Sequence, residues 1–284
     1  MTTPKTDELT GVATTGHEWD GLTELNNPLP RWWLYVLYAT IAFGVIYAFF
    51  VPPFPGVEGI FPTTRAVLAE KVGEAREGQA AFLTAIAQGD AAEIRADGEL
   101  FAFATAGGAA SFAENCAPCH GAGGAGAPGY PSLADDVWLW GGTLEDIQAT
   151  IQHGIRSDDP DTRFSEMLAF GRDGILSADQ IGDVANYVVS MTGTPEDGEA
   201  AARGKTVFAE NCTSCHGENG EGMQDLGSPA LNDAIWLYGA SLAEIEAQVA
   251  NPKHGVMPAW GGRLDETTIK MLTVYVSTLG GYRE

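Results

Sequence analysis

Four cysteines occur in this 284-residue chain, and they fall as two pairs, Cys116 with Cys119 and Cys212 with Cys215. Two residues separate the members of each pair, and a histidine follows at once, His120 or His216. Two thiols at this spacing reach the two vinyl groups of one porphyrin. The adjacent imidazole then falls under the iron as its proximal ligand, so Cys-x-x-Cys-His reads as a c-type haem attachment motif. Zinc would need two more cysteine or histidine ligands per site, and no cysteine remains. A redox dithiol has no need of the adjacent histidine. The chain is therefore expected to hold two covalent haem c groups, one per motif.

A second axial ligand must come from elsewhere, and Met167 and Met257 are the candidates. Each stands before a short Ala-aromatic-Gly segment, 47 and 41 residues after His120 and His216 respectively. A thioether is a soft, neutral ligand that favours ferrous iron and raises the reduction potential. The spacing leaves open whether each methionine serves the haem of its own segment. His153 and His254 are rival ligands whose default role is a hydrogen bond to a propionate or to backbone. Met191 and Met271 fit helix packing, and Met223 lies too close to His216 to wrap a porphyrin edge. Trp138, Trp140, Trp236, Trp260 and Tyr238 are expected to line the haem pockets. Burial there would exclude water and tune the potential.

The elements that position these residues repeat. AENCAPCHG at 113–121 returns as AENCTSCHG at 209–217, and LADDVWLWGG at 133–142 returns as LNDAIWLYGA at 231–240. His153-Gly154 is echoed by His254-Gly255, and Tyr187-Val188-Val189-Ser190 by Tyr275-Val276-Ser277. One order of features used twice indicates two copies of one helical domain, at 106–194 and 195–284. Each copy reads as a helix running into the haem motif, a second helix capped by Thr143 or Ser241, and a last helix after Ser177 or Asp265. Gly108 and Gly204 are expected to let first and last helices cross closely, since glycine adds no side chain.

Upstream, Trp32 to Val51 contains no charged residue. At 1.5 Å per residue such a run spans roughly 30 Å, the thickness of a bilayer's hydrocarbon core. Residues 31–53 are thus expected to form one uncleaved transmembrane helix, with Trp32, Trp33 and Tyr35 at the interface and Pro52-Pro53 at its end. Residues 1–30 read as a tail of little periodicity on the cytoplasmic side, and 54–105 as a partly helical periplasmic connector. Thioether attachment takes place outside the cytoplasm, which puts the haem domains in the periplasm of a bacterial inner membrane.

The formal net charge is −23. That sign excludes nucleic acid as an electrostatic partner and favours a basic protein. No phosphate-binding loop, dinucleotide fingerprint or hydrolase elbow is present, and a single span without a histidine array cannot hold an oxygen-reducing haem–copper centre.

HEWDGLTELNNPLPRWWLYVLYAT at 17–40, followed by one span and tandem Cys-x-x-Cys-His segments, resembles the di-haem subunit III of cbb3-type cytochrome c oxidases. RFSEMLAFG around Met167 is also similar to that family, departing at Leu168 where proline is expected. The resemblance implies a mainly α protein with one N-terminal transmembrane helix and two tandem cytochrome c domains, without a catalytic site of its own. It implies electron transfer from soluble cytochrome c or the bc1 complex towards a mono-haem subunit and the catalytic haem–copper subunit, where oxygen is reduced and protons are pumped. The competing readings are a stand-alone membrane-anchored di-haem carrier, a cytochrome subunit of a periplasmic dehydrogenase, and, on a different chemistry, a di-haem peroxidase. Two methionine candidates argue against the last, which needs an open iron.

Overall fold

The computed structural model describes residues 4–51 and 60–280. Pro52-Pro53 and residues 54–59, expected to end the span and begin the connector, lie outside the described residues. Contacts divide the chain into two units, Met1–Gly78 and Gln79–Glu284.

In the first unit, β1 (Thr14–Trp19) pairs antiparallel with β2 (Leu22–Leu25), with Trp19 opposite Leu22. The turn is Asp20-Gly21, both at positive φ (49° and 85°), as a two-residue hairpin loop requires. This stretch was expected to lack periodic structure, and the hairpin corrects that expectation. Its signal is the Asp-Gly pair itself. α1 (Arg31–Phe50) is a 20-residue helix with no buried residue, long and apolar enough to cross a bilayer.

α2 (Thr64–Gln88) contains the border between the units. Beyond it come α3 (Ala91–Ala96), α4 (Gly98–Asn115), the one-turn α5 (Ala117–His120), α6 (Leu144–His153) and α7 (Ala178–Thr192). The second copy supplies α8 (Gly198–Asn211), the one-turn α9 (Thr213–His216), α10 (Leu242–Ala250) and α11 (Glu266–Val276). The expected caps are in place. Thr143 accepts from Asp146 N–H, Asp265 from Thr268 N–H, and Ser177 and Ser241 each close a capping box, with Gln180 and Glu244. The expected border at 105/106 falls inside α4, so the first helix of copy one begins earlier than the repeat alone indicates.

Packing does not follow the division at 194/195. The first helix of copy one, α4, packs on the last helix of copy two, α11, while α7 of copy one packs on α8 and α10 of copy two. Gly108 makes the first crossing possible, because a Cβ there would overlap the Met271 carbonyl and Tyr275 Cβ. Gly204 makes the second, where a Cβ would overlap the Asp183 carbonyl and Val184 N. Tilted aromatic pairs seal both crossings, Phe112 on Tyr275 and Phe208 on Tyr187, each with ring centroids 5.3 Å apart. Two lobes result, each built from both copies. One core gathers Phe112, Ile147, Ile151, Ile269, Leu272 and Val276. The other gathers Val184, Val188, Phe208, Ile245 and Val249.

Part of the connector is absorbed into the first lobe. Ile86, Ala91, Ile94 and Ala104 are buried with Met271 and Val274 of α11. Lys270 is only 7% exposed, and its ammonium donates to the carbonyls of Ala87 and Gly89, both at 2.9 Å, where α2 ends. A cation there satisfies carbonyls that the helix leaves without intrahelical donors. Lys270→Met keeps the apolar stem and removes the donor. It is expected to destabilise the detergent-solubilised protein by about 2–3 kcal/mol, read as a lowered Tm, since hydrogen bonds from a charged group are worth that order. An unchanged Tm would contradict this role.

Candidate haem sites

Each motif sits on a sharp break between helices. α4 ends at Asn115, Cys116 turns the chain, and α5 carries Cys119 and His120 round one further turn. α8, Cys212 and α9 repeat the arrangement for Cys215 and His216. The residue after each histidine, Gly121 or Gly217, has φ near +80° (78° and 79°), which ends the turn and sends the chain back past the imidazole. Hydrogen bonds from Gly126 N–H to the His120 carbonyl and from Gly222 N–H to the His216 carbonyl fix that return.

The loops deliver a carbonyl to each histidine. His120 Nδ1 lies 3.0 Å from the Pro131 carbonyl, and His216 Nδ1 lies 3.0 Å from the Pro229 carbonyl. A carbonyl can only accept, so each Nδ1 carries the proton, which in a neutral ring leaves the lone pair on Nε2, the tautomer a metal-ligating histidine needs. Burial holds the His216 imidazole below its ordinary pKa, against the raising effect of the Pro229 hydrogen bond, and so favours the neutral ring. Cys116 and Cys212 are half-buried while Cys119 and Cys215 are exposed. Burial, and then the charge of the neighbouring cysteine, pushes the Cys116 and Cys212 thiols up to about 11. Such surroundings disfavour thiolate and suit a neutral thioether. The donor set, its tautomers and its polarity therefore fit covalent haem at both motifs.

The candidate methionines reach these motifs crosswise. Met257 packs in the cluster that holds Cys116, with Trp138 and Trp260. Met167 packs in the cluster that holds Cys212, with Trp236. Met191 and Met271 pack in helix cores, and Met223 is 40% exposed. His254 Nε2 accepts the backbone N–H of Met167 at 3.0 Å, and His153 Nδ1 donates to Asp159 at 3.0 Å. Both rival histidines are thus engaged in hydrogen bonds. Trp140 lies against Gly227, and Tyr238 lines a cleft of about 440 Å³ between the loops that follow the two motifs. Pro131 and Pro229, the two imidazole-bonding residues, both border this cleft.

Sequence reasoning missed the arginines. Arg163 pairs with Asp146 at 2.7 Å and also donates to the Trp140 carbonyl, tying a haem-loop tryptophan to α6. Burial alone would raise the Asp146 carboxyl, but hydrogen bonds from Arg163 and Thr143 hold it below its ordinary value. Arg156 donates from Nε to the Gly255 carbonyl at 2.7 Å and from Nη1 to the Ser165 carbonyl at 2.8 Å. A residue at φ +52° in a Gly-Ile-Arg-Ser stretch leaves no signal in sequence.

Paired proline-bonded histidines beside cysteine pairs, in small helical lobes, define a di-haem c-type cytochrome. Residues 105–192 match the family described as cytochrome c, and residues 199–276 match cytochrome C oxidase, cbb3-type, subunit III. Residues 11–58 match the N-terminal domain of cytochrome oxidase-cbb3, FixP. The chain is 54% identical over 290 residues to the cbb3-type cytochrome c oxidase subunit CcoP of Azospirillum sp. (strain B510), covering 97% of each. It is 52% identical to the CcoP subunit of Azospirillum brasilense, covering 99% of each, and 51% identical to the FixP subunit of Azorhizobium caulinodans, covering 97% of this chain and 95% of that one. The chain belongs to the CcoP/FixP family of cbb3-type oxidase subunits. It is a membrane-anchored, non-catalytic redox subunit with an electron-transfer role and two covalent haem c groups.

Proposed function

We propose that this chain relays electrons from a soluble basic cytochrome c, or from the bc1 complex, towards the mono-haem and catalytic haem–copper subunits of a cbb3-type oxidase. The observation that carries this reading is the doubling of one donor set: a cysteine pair, a histidine whose Nδ1–H donates to a proline carbonyl, and a methionine in the apolar cluster of the first cysteine. Cys116, Cys119, Cys212 and Cys215 hold the porphyrins as thioethers, and His120, His216, Met167 and Met257 ligate the irons. Iron so held supplies reversible one-electron chemistry. The residues' part would be to hold each iron through His120, His216, Met167 and Met257 so that little moves as the charge changes, and to keep water away. The proline carbonyls raise the basicity of the imidazoles, and the tryptophans lower the local polarity.

The N-terminus lies in the cytoplasm and the haem lobes in the periplasm of a bacterial inner membrane. Two supports are the thioether chemistry, which takes place outside the cytoplasm, and the basic residues Lys5 and Arg31 ahead of the span, with Arg65 the next after it.

A charge of −23 complements a basic donor and speeds encounter through long-range attraction. The second-order rate of electron transfer from a reduced basic cytochrome c to the purified oxidase is therefore expected to fall steeply as ionic strength rises, because the Debye length shrinks from about 30 Å at 0.01 M to about 10 Å at 0.1 M. A rate indifferent to salt would remove the basic donor from this account.

A further inference from the structure

We propose that the β1–β2 hairpin ahead of the span docks on basic cytoplasmic loops of a many-span membrane protein, the haem–copper subunit of the same oxidase. This rests on the reading of the N-terminus as cytoplasmic and of the chain as an oxidase subunit. It adds a contact surface apart from the haem lobes.

The hairpin is tied at its base and bare at its tip. Thr14 N–H donates to the Lys5 carbonyl at 2.8 Å, Lys5 N–H donates to Thr14 Oγ1 at 3.1 Å, and Asn26 N–H donates to the Ala13 carbonyl at 2.8 Å. These bonds close the open end of the strand pair and bury Thr14. Yet no apolar side chain among residues 4–30 is buried. Trp19 and Leu22 are 67% and 74% exposed, and they stand directly opposite each other beside the Asp20-Gly21 turn. Residues so paired share one face of the ribbon. A lone two-stranded hairpin is marginal in water and gains stability by packing its apolar face on something else. Tryptophan is also the residue type most enriched at the energetic centre of protein interfaces.

Charge and position select what covers this tip. Residues 6–30 include Asp7, Glu8, Glu18, Asp20 and Glu24 and no lysine or arginine. Three of these acids flank the apolar pair: Glu18 precedes Trp19, Asp20 is in the turn, and Glu24 lies two residues past Leu22. Five residues, 26–30, join β2 to α1, so the hairpin lies within about 20 Å of the start of the span. At that level, on the cytoplasmic side, short loops of many-span proteins carry an excess of lysine and arginine. An apolar tip rimmed with carboxylates complements such loops. It is a poor match for the bilayer surface itself, whose cytoplasmic leaflet is anionic and repels it.

The test uses the full-length tagged chain expressed with the rest of the oxidase and extracted in mild detergent. Trp19→Thr with Leu22→Thr removes the apolar pair and keeps residues that favour strands. Co-purified haem–copper subunit, measured per covalent haem c of this chain, is expected to fall about tenfold or more, with haem content and membrane insertion unchanged. Glu18→Lys with Glu24→Lys, which keeps Trp19 and Leu22, is expected to lower it as well. Wild-type recovery with both double variants overturns the docking. Loss with the threonine pair alone overturns the basic partner and leaves the tip to lipid or an uncharged surface. Leu9→Cys labelled by a membrane-impermeant maleimide in intact spheroplasts overturns the cytoplasmic placement. An unaltered chain that brings down no haem–copper subunit overturns the oxidase reading, a failure distinct from the other three.

Discussion

Gly204→Val is expected to break the second lobe. The added Cβ would meet the Asp183 carbonyl and the Val184 nitrogen, backbone atoms that no side-chain rotation can clear. α8 and α7 must then separate, and Phe208, Val184 and Val188 lose their close packing. Overpacking a core costs typically about 1–3 kcal/mol and more where backbone must shift, so a loss of about 3 kcal/mol or more is expected here. The measurement is the Tm of the haem-loaded, detergent-solubilised protein. Gly73→Ala serves as control. It lies in α2 with nothing within 4 Å of the new methyl, and alanine there should be neutral or stabilising by up to about 1 kcal/mol. Equal behaviour of the two variants would show that the crossing at Gly204 is not as close as described.

The second large effect concerns the thioethers. Removing Cys212 and Cys215 together is expected to leave one covalent haem per chain and to reduce oxygen consumption driven by cytochrome c to background. A relay with one station missing has no equivalent route for the electron. The surviving haem at His120 should still stain on a denaturing gel, because its cysteines attach independently of the second motif. Two retained haems, or undiminished oxygen consumption in the variant, would contradict the assignment of this pair.

Much of this architecture was legible because local chemistry determines it. Cys-x-x-Cys-His has one economical use at this spacing. The uncharged run of α1 has one natural solvent, and Thr143, Ser177, Ser241 and Asp265 announce helix starts by capping them. Gly108 and Gly204 also announced close crossings, and both occur. What the repeat could not reveal is which helix each glycine meets. Two copies with matching faces offer nearly the same apolar surface to either partner, so α4 finds α11 as readily in pattern as it would α7. The observed pairing is joined by contacts between residues far apart in sequence. Arg156 with Gly255, and Met167 with His254, are contacts of that kind, and periodicity does not encode them. The β1–β2 hairpin is different. Its Asp20-Gly21 turn is readable, but the flanking strands are short and largely exposed, so little apolar alternation marks them as strands.

Relay through this chain requires two porphyrins fixed by thioethers in one polypeptide. Intact-mass measurement of the mature, unreduced polypeptide tests it most directly, combined with alkylation of accessible thiols. The expected result is the polypeptide mass plus two haems, with no alkylation at Cys116, Cys119, Cys212 or Cys215. A mass without added haem, with all four cysteines alkylated, would contradict it.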